Sequence, residues 1–128
     1  MQVVFSKIAF GLLLLFFING NTFSVEPKKA WEAYNSGDFV TALHIFRKLA
    51  AQGDSSAQYN LGMMYAFGQG VTQDNVYAHM WWTLAATSGD ADAASYRDFL
   101  AKDMSLEEVS RARGLAQECL KKKYLGCE

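Results

Sequence analysis

The sequence has no excess of charge of either sign: 12 lysines and arginines stand against 13 aspartates and glutamates in 128 residues. A chain so balanced has no electrostatic footprint for nucleic acid. Its only basic run, Lys121-Lys122-Lys123, reads as a solvated helix end. Cysteine is scarce as well, with Cys119 and Cys127 alone and both in the last ten residues. His44 and His79 have no cysteine or carboxylate at metal-ligand spacing and read as satisfied or exposed histidines. No serine sits in a G-x-S-x-G elbow, and no G-x-x-x-x-G-K-[ST] loop appears. Neither a catalytic site nor a cofactor is expected.

A hydrophobic run long enough to cross a membrane is also missing. The longest, Ile8 to Ile18 (IAFGLLLLFFI), has eleven residues. As a helix it rises about 16 Å, half of a ~30 Å hydrocarbon core. Lys7 before it and Gly20, Thr22 and Ser24 after it give a signal-peptide pattern, with cleavage after Gly20 or Ser24. An uncleaved anchor is the competing reading. No cysteine lies near that point, so a lipidated amino terminus is not available. The expectation is a leader over residues 1–24 and one domain over 25–128, exported to the periplasm or beyond the cell.

What is present is a repeat. Shifted by 36 positions, Ala42 falls on Ala78, Ala50 on Ala86, Gly53 on Gly89, Asp54 on Asp90 and Ala57 on Ala93. "ALHIFRKLAAQGDSSA" and "AHMWWTLAATSGDADA" are two copies of one unit: a helix, a Gly-Asp turn, and the alanine opening the next helix. Between them, Ala57, Leu61, Gly62 and Tyr65 share one face at helical spacing. A glycine in mid-helix costs about 1 kcal/mol against alanine. Gly62 is therefore expected to admit a neighbouring helix closely, with Gly68 and Gly70 ending the helix and Val71 tucked beneath the turn. Asp74 is placed to cap the following helix. In the last helix Ser105 and Glu108 form a capping box, ahead of an apolar stripe of Leu106, Val109, Ala112, Ala116 and Leu120.

Ala57, Leu61-Gly62, Tyr65, Gly68, Gly70-Val71, Asp74, Ala78, Trp82, Ala85-Ala86 and Gly89 resemble the Sel1-like repeat, a relative of the tetratricopeptide repeat. The segment before this unit resembles a shorter version, with Tyr34 and Gly37 standing for Tyr65 and Gly68. In the unit after it, Arg97-Asp98 occupies the Leu-Gly position. The resemblance implies an all-α fold, a short solenoid of about three stacked antiparallel helix pairs over residues 27–53, 54–89 and 90–128. The outer pairs serve as caps. Trp81 and Trp82 face about 100° apart on a helix and cannot form one flat sugar platform; core packing is the expectation.

Two further expectations concern chemistry. Cys119 and Cys127 enclose a short loop and suit a structural disulfide in an exported protein; free thiols or a redox pair are the alternatives. In stacked helix pairs the first helices line the concave face, one step around from the packing residues. That assigns Glu32, Asn35, Tyr59, Asn60, Met63 and Phe67 to a groove for an unidentified peptide or protein. The competing reading packs Met63 and Phe67 under neighbouring units. The resemblance thus implies a non-enzymatic interaction module. The alternative is a peptidoglycan binder or accessory hydrolase, suggested by cysteine-rich relatives that carry a cysteine pair in every repeat, as this chain does not.

Overall fold

The computed structural model describes residues 25–128, so the expected leader and its cleavage points lie outside the described residues. The described chain is all-α: α1 (Val25–Asn35), α2 (Phe39–Ala51), α3 (Ser55–Phe67), α4 (Asn75–Thr87), α5 (Ala91–Ala101) and α6 (Leu106–Lys121). It forms a short helical solenoid of the tetratricopeptide-like kind.

Aspartates at the repeat turns set where helices begin. Asp38, Asp54, Asp74 and Asp90 each accept a backbone N–H three residues on, at 2.9–3.1 Å. Each thereby satisfies a donor that a helix start leaves without an intrahelical partner. At α6, the Glu108 N–H donates to the Ser105 hydroxyl at 3.1 Å and the Glu108 carboxylate accepts the Ser105 N–H at 2.7 Å. The capping box is formed.

Composition decides which helices lie inside. α3 and α4 carry no Asp, Glu, Lys or Arg, and α4 buries residues on every side, from Val76 to Ala85. A helix apolar all round belongs in the middle of the stack, and α4 packs against α3, α5 and α6. α2 joins the other end by packing on α1 and α3. Gln58 is fully buried and donates its amide to the Ala50 carbonyl at 3.3 Å, tying α3 to the end of α2.

Two glycines allow close approaches. A Cβ at Gly62 would overlap the indole of Trp82, which lies directly on the α3 backbone and donates Nε1–H to the Tyr59 carbonyl at 3.1 Å. Gly70 takes φ +73°, and a Cβ there would stand 2.8 Å from the Phe39 carbonyl oxygen. The loop between α3 and α4 thus lies against the start of α2, and its Gln69 also accepts the hydroxyl of Tyr34 from α1 at 2.9 Å. Trp81 and Trp82 are both buried, Trp82 between Gly62 and the ring of Tyr96.

The last unit departs from expectation. α5 and α6 pack on α4 more than on each other, and α5 buries Ala93 alone. At the Leu-Gly position Arg97 and Asp98 form an ion pair at 2.9 Å, and charged side chains cannot offer the seat that Gly62 offers. The α6 stripe is corrected too. Its buried seam is Ala112, Ala116 and Cys119, while Leu106 is 91% exposed and Leu120 is exposed at the rim. At 100° per residue Leu106 lies about 110° around the helix from the centre of that seam. Small residues let α6 sit close on α4.

After α6 the chain hooks back. Lys123 and Tyr124 take left-handed φ values of +52° and +66°, uncommon for non-glycine residues. The Tyr124 N–H reaches the Cys119 carbonyl at 3.0 Å, and Cys127 is disulfide-bonded to Cys119. The ring of Tyr124 rests on Gly53, and Glu128 pairs with Arg47. Arg47 also donates to the Tyr65 hydroxyl at 3.3 Å. The tail therefore joins the last helix to the α2–α3 turn.

Candidate binding face

α3 presents Tyr59 and Met63 one turn apart, both half-buried against the core. The Tyr59 backbone is held by Trp82, and its ring meets Tyr96 of α5 edge-on at 5.9 Å between centroids. Tyr96 also lies over Trp82 at 5.5 Å and remains 42% exposed. Phe99, one turn further along α5, is 67% exposed. Burial pushes the Tyr59 phenol up to about 12, helped by Tyr96 and by Asp92 and Asp90. It stays protonated, a hydrogen-bond donor, throughout the physiological range.

The other residues assigned from sequence fare differently. Asn60 is 3% exposed and donates its amide to the Ser56 carbonyl of its own helix at 2.8 Å. It does not present that amide to a groove, because the close stacking of α3 covers the side on which it lies. Phe67 ends α3 and is 65% exposed. Glu32 and Asn35 are exposed on α1, with Glu32 3.8 Å from Lys28. Among the described residues, no hydrogen bond, ion pair or ring contact joins those two to α3. The structure brings together Tyr59, Tyr96 and Trp82, with Met63 one turn from Tyr59 on α3 and Phe99 one turn from Tyr96 on α5. The α5 pair was findable, since the 36-residue shift carries Asn60 onto Tyr96 and Met63 onto Phe99.

Titratable chemistry elsewhere is sparse. His44 is exposed, whereas His79 is buried with Nδ1 3.3 Å from the Thr83 hydroxyl. Burial holds the His79 imidazole below its ordinary value, with Arg97 and Arg113 adding to the effect and Asp98 opposing it. Among the described residues no group of three or more His, Cys, Asp or Glu side chains could hold a metal ion.

Trp82 lying on a helix glycine, followed by a Gly-closed loop and an aspartate cap, is a packing unit with a sequence signature. Residues 36–54 and 55–90 match the Sel1 repeat family. The chain carries Sel1 repeats. No curated protein matches it. The longer Sel1 match spans α3, α4 and the turn after them; the shorter one spans α2 and its flanking turns. Sel1 repeats generally mediate protein–protein interaction, and the chain is a module of that kind. The aromatic face therefore lies where a Sel1 repeat meets the helix pair that follows it. Among the described residues no helix is long and apolar enough to cross a membrane.

Proposed function

We propose that this protein is a non-enzymatic interaction module outside the cytoplasm, in the periplasm or the extracellular space. It holds a peptide or protein segment against the side formed by α1, α3 and α5. The observation that carries the reading is the contact of Tyr59 with the part-exposed Tyr96 over Trp82, with half-buried Met63 and exposed Phe99 one turn along α3 and α5. Rigid aromatic side chains supply large contact area at low entropic cost. Glu32, Asn35 and Phe67, all exposed, are further candidate contacts on α1 and α3; Met63 and Tyr59 serve both core and face. Export is supported by the Cys119–Cys127 bond, because disulfides persist in oxidising compartments, and by the short apolar run followed by small residues.

The test is site-specific photo-crosslinking in living cells. A crosslinker at position 63 or 99 is expected to yield discrete adducts, and one at the exposed His44 of α2 none. Adducts from His44 alone would move the site to the opposite side. Co-sedimentation with purified peptidoglycan, in place of protein adducts, would favour the cell-wall alternative. Mass spectrometry of the exported form is expected to show a new amino terminus between Asn21 and Val25. An intact Met1 on a membrane-bound chain would overturn the export reading.

A further inference from the structure

The aromatic face is uneven in charge. α3 contributes Tyr59 and Met63 and carries no charged residue. Residues 90–103 carry Asp90, Asp92, Asp98 and Asp103 against Arg97 and Lys102. That surplus of two acids equals the net charge of all of residues 25–128, which hold 13 acidic and 11 basic side chains. Residues 90–103 are thus net acidic, beside the uncharged α3.

Part of it is already engaged. Asp90 caps its helix, and Asp98 pairs with Arg97. Asp92 and Asp103 are exposed and have no ion-pair partner among the described residues. Asp92, Tyr96, Phe99 and Asp103 follow one another at helical i, i+4, i+7, i+11 spacing, which places them along one side. Asp103 stands just past α5, where the C-cap Lys102 keeps helical dihedrals. At a rise of 1.5 Å per residue, the two acids are about 16 Å apart with the two rings between them. An extended peptide covers that distance in about five residues. The Phe99 ring already attracts a cation within the chain, the Lys102 ammonium 5.7 Å from its centroid.

Resting on the interaction-module reading, we propose that the α3–α5 face takes a cationic peptide segment. Two lysines or arginines, about five residues apart, meet Asp92 and Asp103, and an aliphatic or aromatic residue between them seats among Tyr59, Met63, Tyr96 and Phe99.

A random twelve-residue peptide library displayed on phage, selected at low salt on the purified protein, tests this. Enriched peptides are expected to carry paired basic residues around an apolar one. Their binding should weaken at least tenfold in the Asp92→Asn/Asp103→Asn double variant, weaken with added salt, and weaken in Phe99→Ser. All three positions are exposed, and unchanged melting of the variants confirms that each is folded. Enriched peptides without basic residues, lost in Phe99→Ser but retained by the double aspartate variant, would overturn the cationic partner and leave the interaction module standing. Enrichment no greater than on a Met63→Ser/Phe99→Ser control would overturn both. Self-association of the purified protein that Phe99→Ser abolishes would put a second copy on the face and overturn the peptide.

Discussion

The middle and last units solve the same packing problem with different parts. In the middle unit Gly62 exposes helix backbone, and the pyrrole side of the Trp82 indole lies against it with its Nε1–H satisfied. In the last unit the same position is Asp98, paired with Arg97, and α5 and α6 meet mainly through α4. There a covalent bond and a tail contact replace the seat: Cys119 to Cys127, Tyr124 on Gly53, and Glu128 with Arg47. Repeat arrays are stable in their interior because each unit is covered on both sides, and they fray at their ends. The comparison teaches that an end unit can abandon the packing signature if it is tied down by other means. It also explains why the aromatic face opens at this junction. A unit that packs loosely leaves Tyr96 and Phe99 uncovered.

The sharpest way to break the comparison is at the seat. Gly62→Leu is expected to destabilise by about 3 kcal/mol, because overpacking forces backbones and indole apart. A melting temperature within a degree or two of the parent would remove the close-contact explanation. Next in size is the bond at the end. Cys119→Ser should lose about 2–3 kcal/mol in the chain-entropy account of so short a loop. Hydrogen exchange should quicken from about residue 105 onward while α3 and the first half of α4 keep their protection. Uniform acceleration across all helices would show that the two units are not independent.

A smaller effect concerns pH. His79 lies in α4 beside Arg97 of α5 and Arg113 of α6, and its folded value is depressed. Its neutral form is therefore the folded form. Between that depressed value and the unfolded value of about 6.5 the unfolded chain binds more protons. Stability from this group is complete above about pH 6.5 and declines as the pH falls below it. Chemical denaturation at several pH values from 7.5 to 5 should show this slope in the parent and a shallower one in His79→Phe. An identical slope would mean that other groups set it. The smallest effect is expected at Glu128→Gln. Its pairing with Arg47 is part-exposed, and such pairs contribute about 0–1 kcal/mol. A loss as large as that of Cys119→Ser would make the ion pair, rather than the disulfide, the main clamp.

Much of this was legible in the chain. Caps, turn glycines and the Gly62 contact depend on neighbours within a few residues or on a repeat that can be read by sliding the sequence over itself. Asp38, Asp54, Asp74 and Asp90 each satisfy N–H groups three residues away, so no distant partner is needed to predict them. The face was legible only in part. Tyr59 and Met63 belong to it, but Asn60 is covered, and Tyr96 and Phe99 stand in a unit without the Leu-Gly signature.

The sequence by itself determined helix starts and stops, the number of helices and the glycine that brings α3 and α4 together, because those follow from local hydrogen bonding and side-chain size. Only the tertiary structure decided which side of each helix is covered. Leu106 is apolar and sits on a helical stripe, yet it is exposed because the α6 seam runs through Ala112, Ala116 and Cys119. Gly53 and Arg47 give no local sign that the tail will return to them, since Tyr124 and Glu128 reach them from more than seventy residues away. Long-range contacts of this kind depend on where the whole stack delivers its end, and no short window of sequence contains that information.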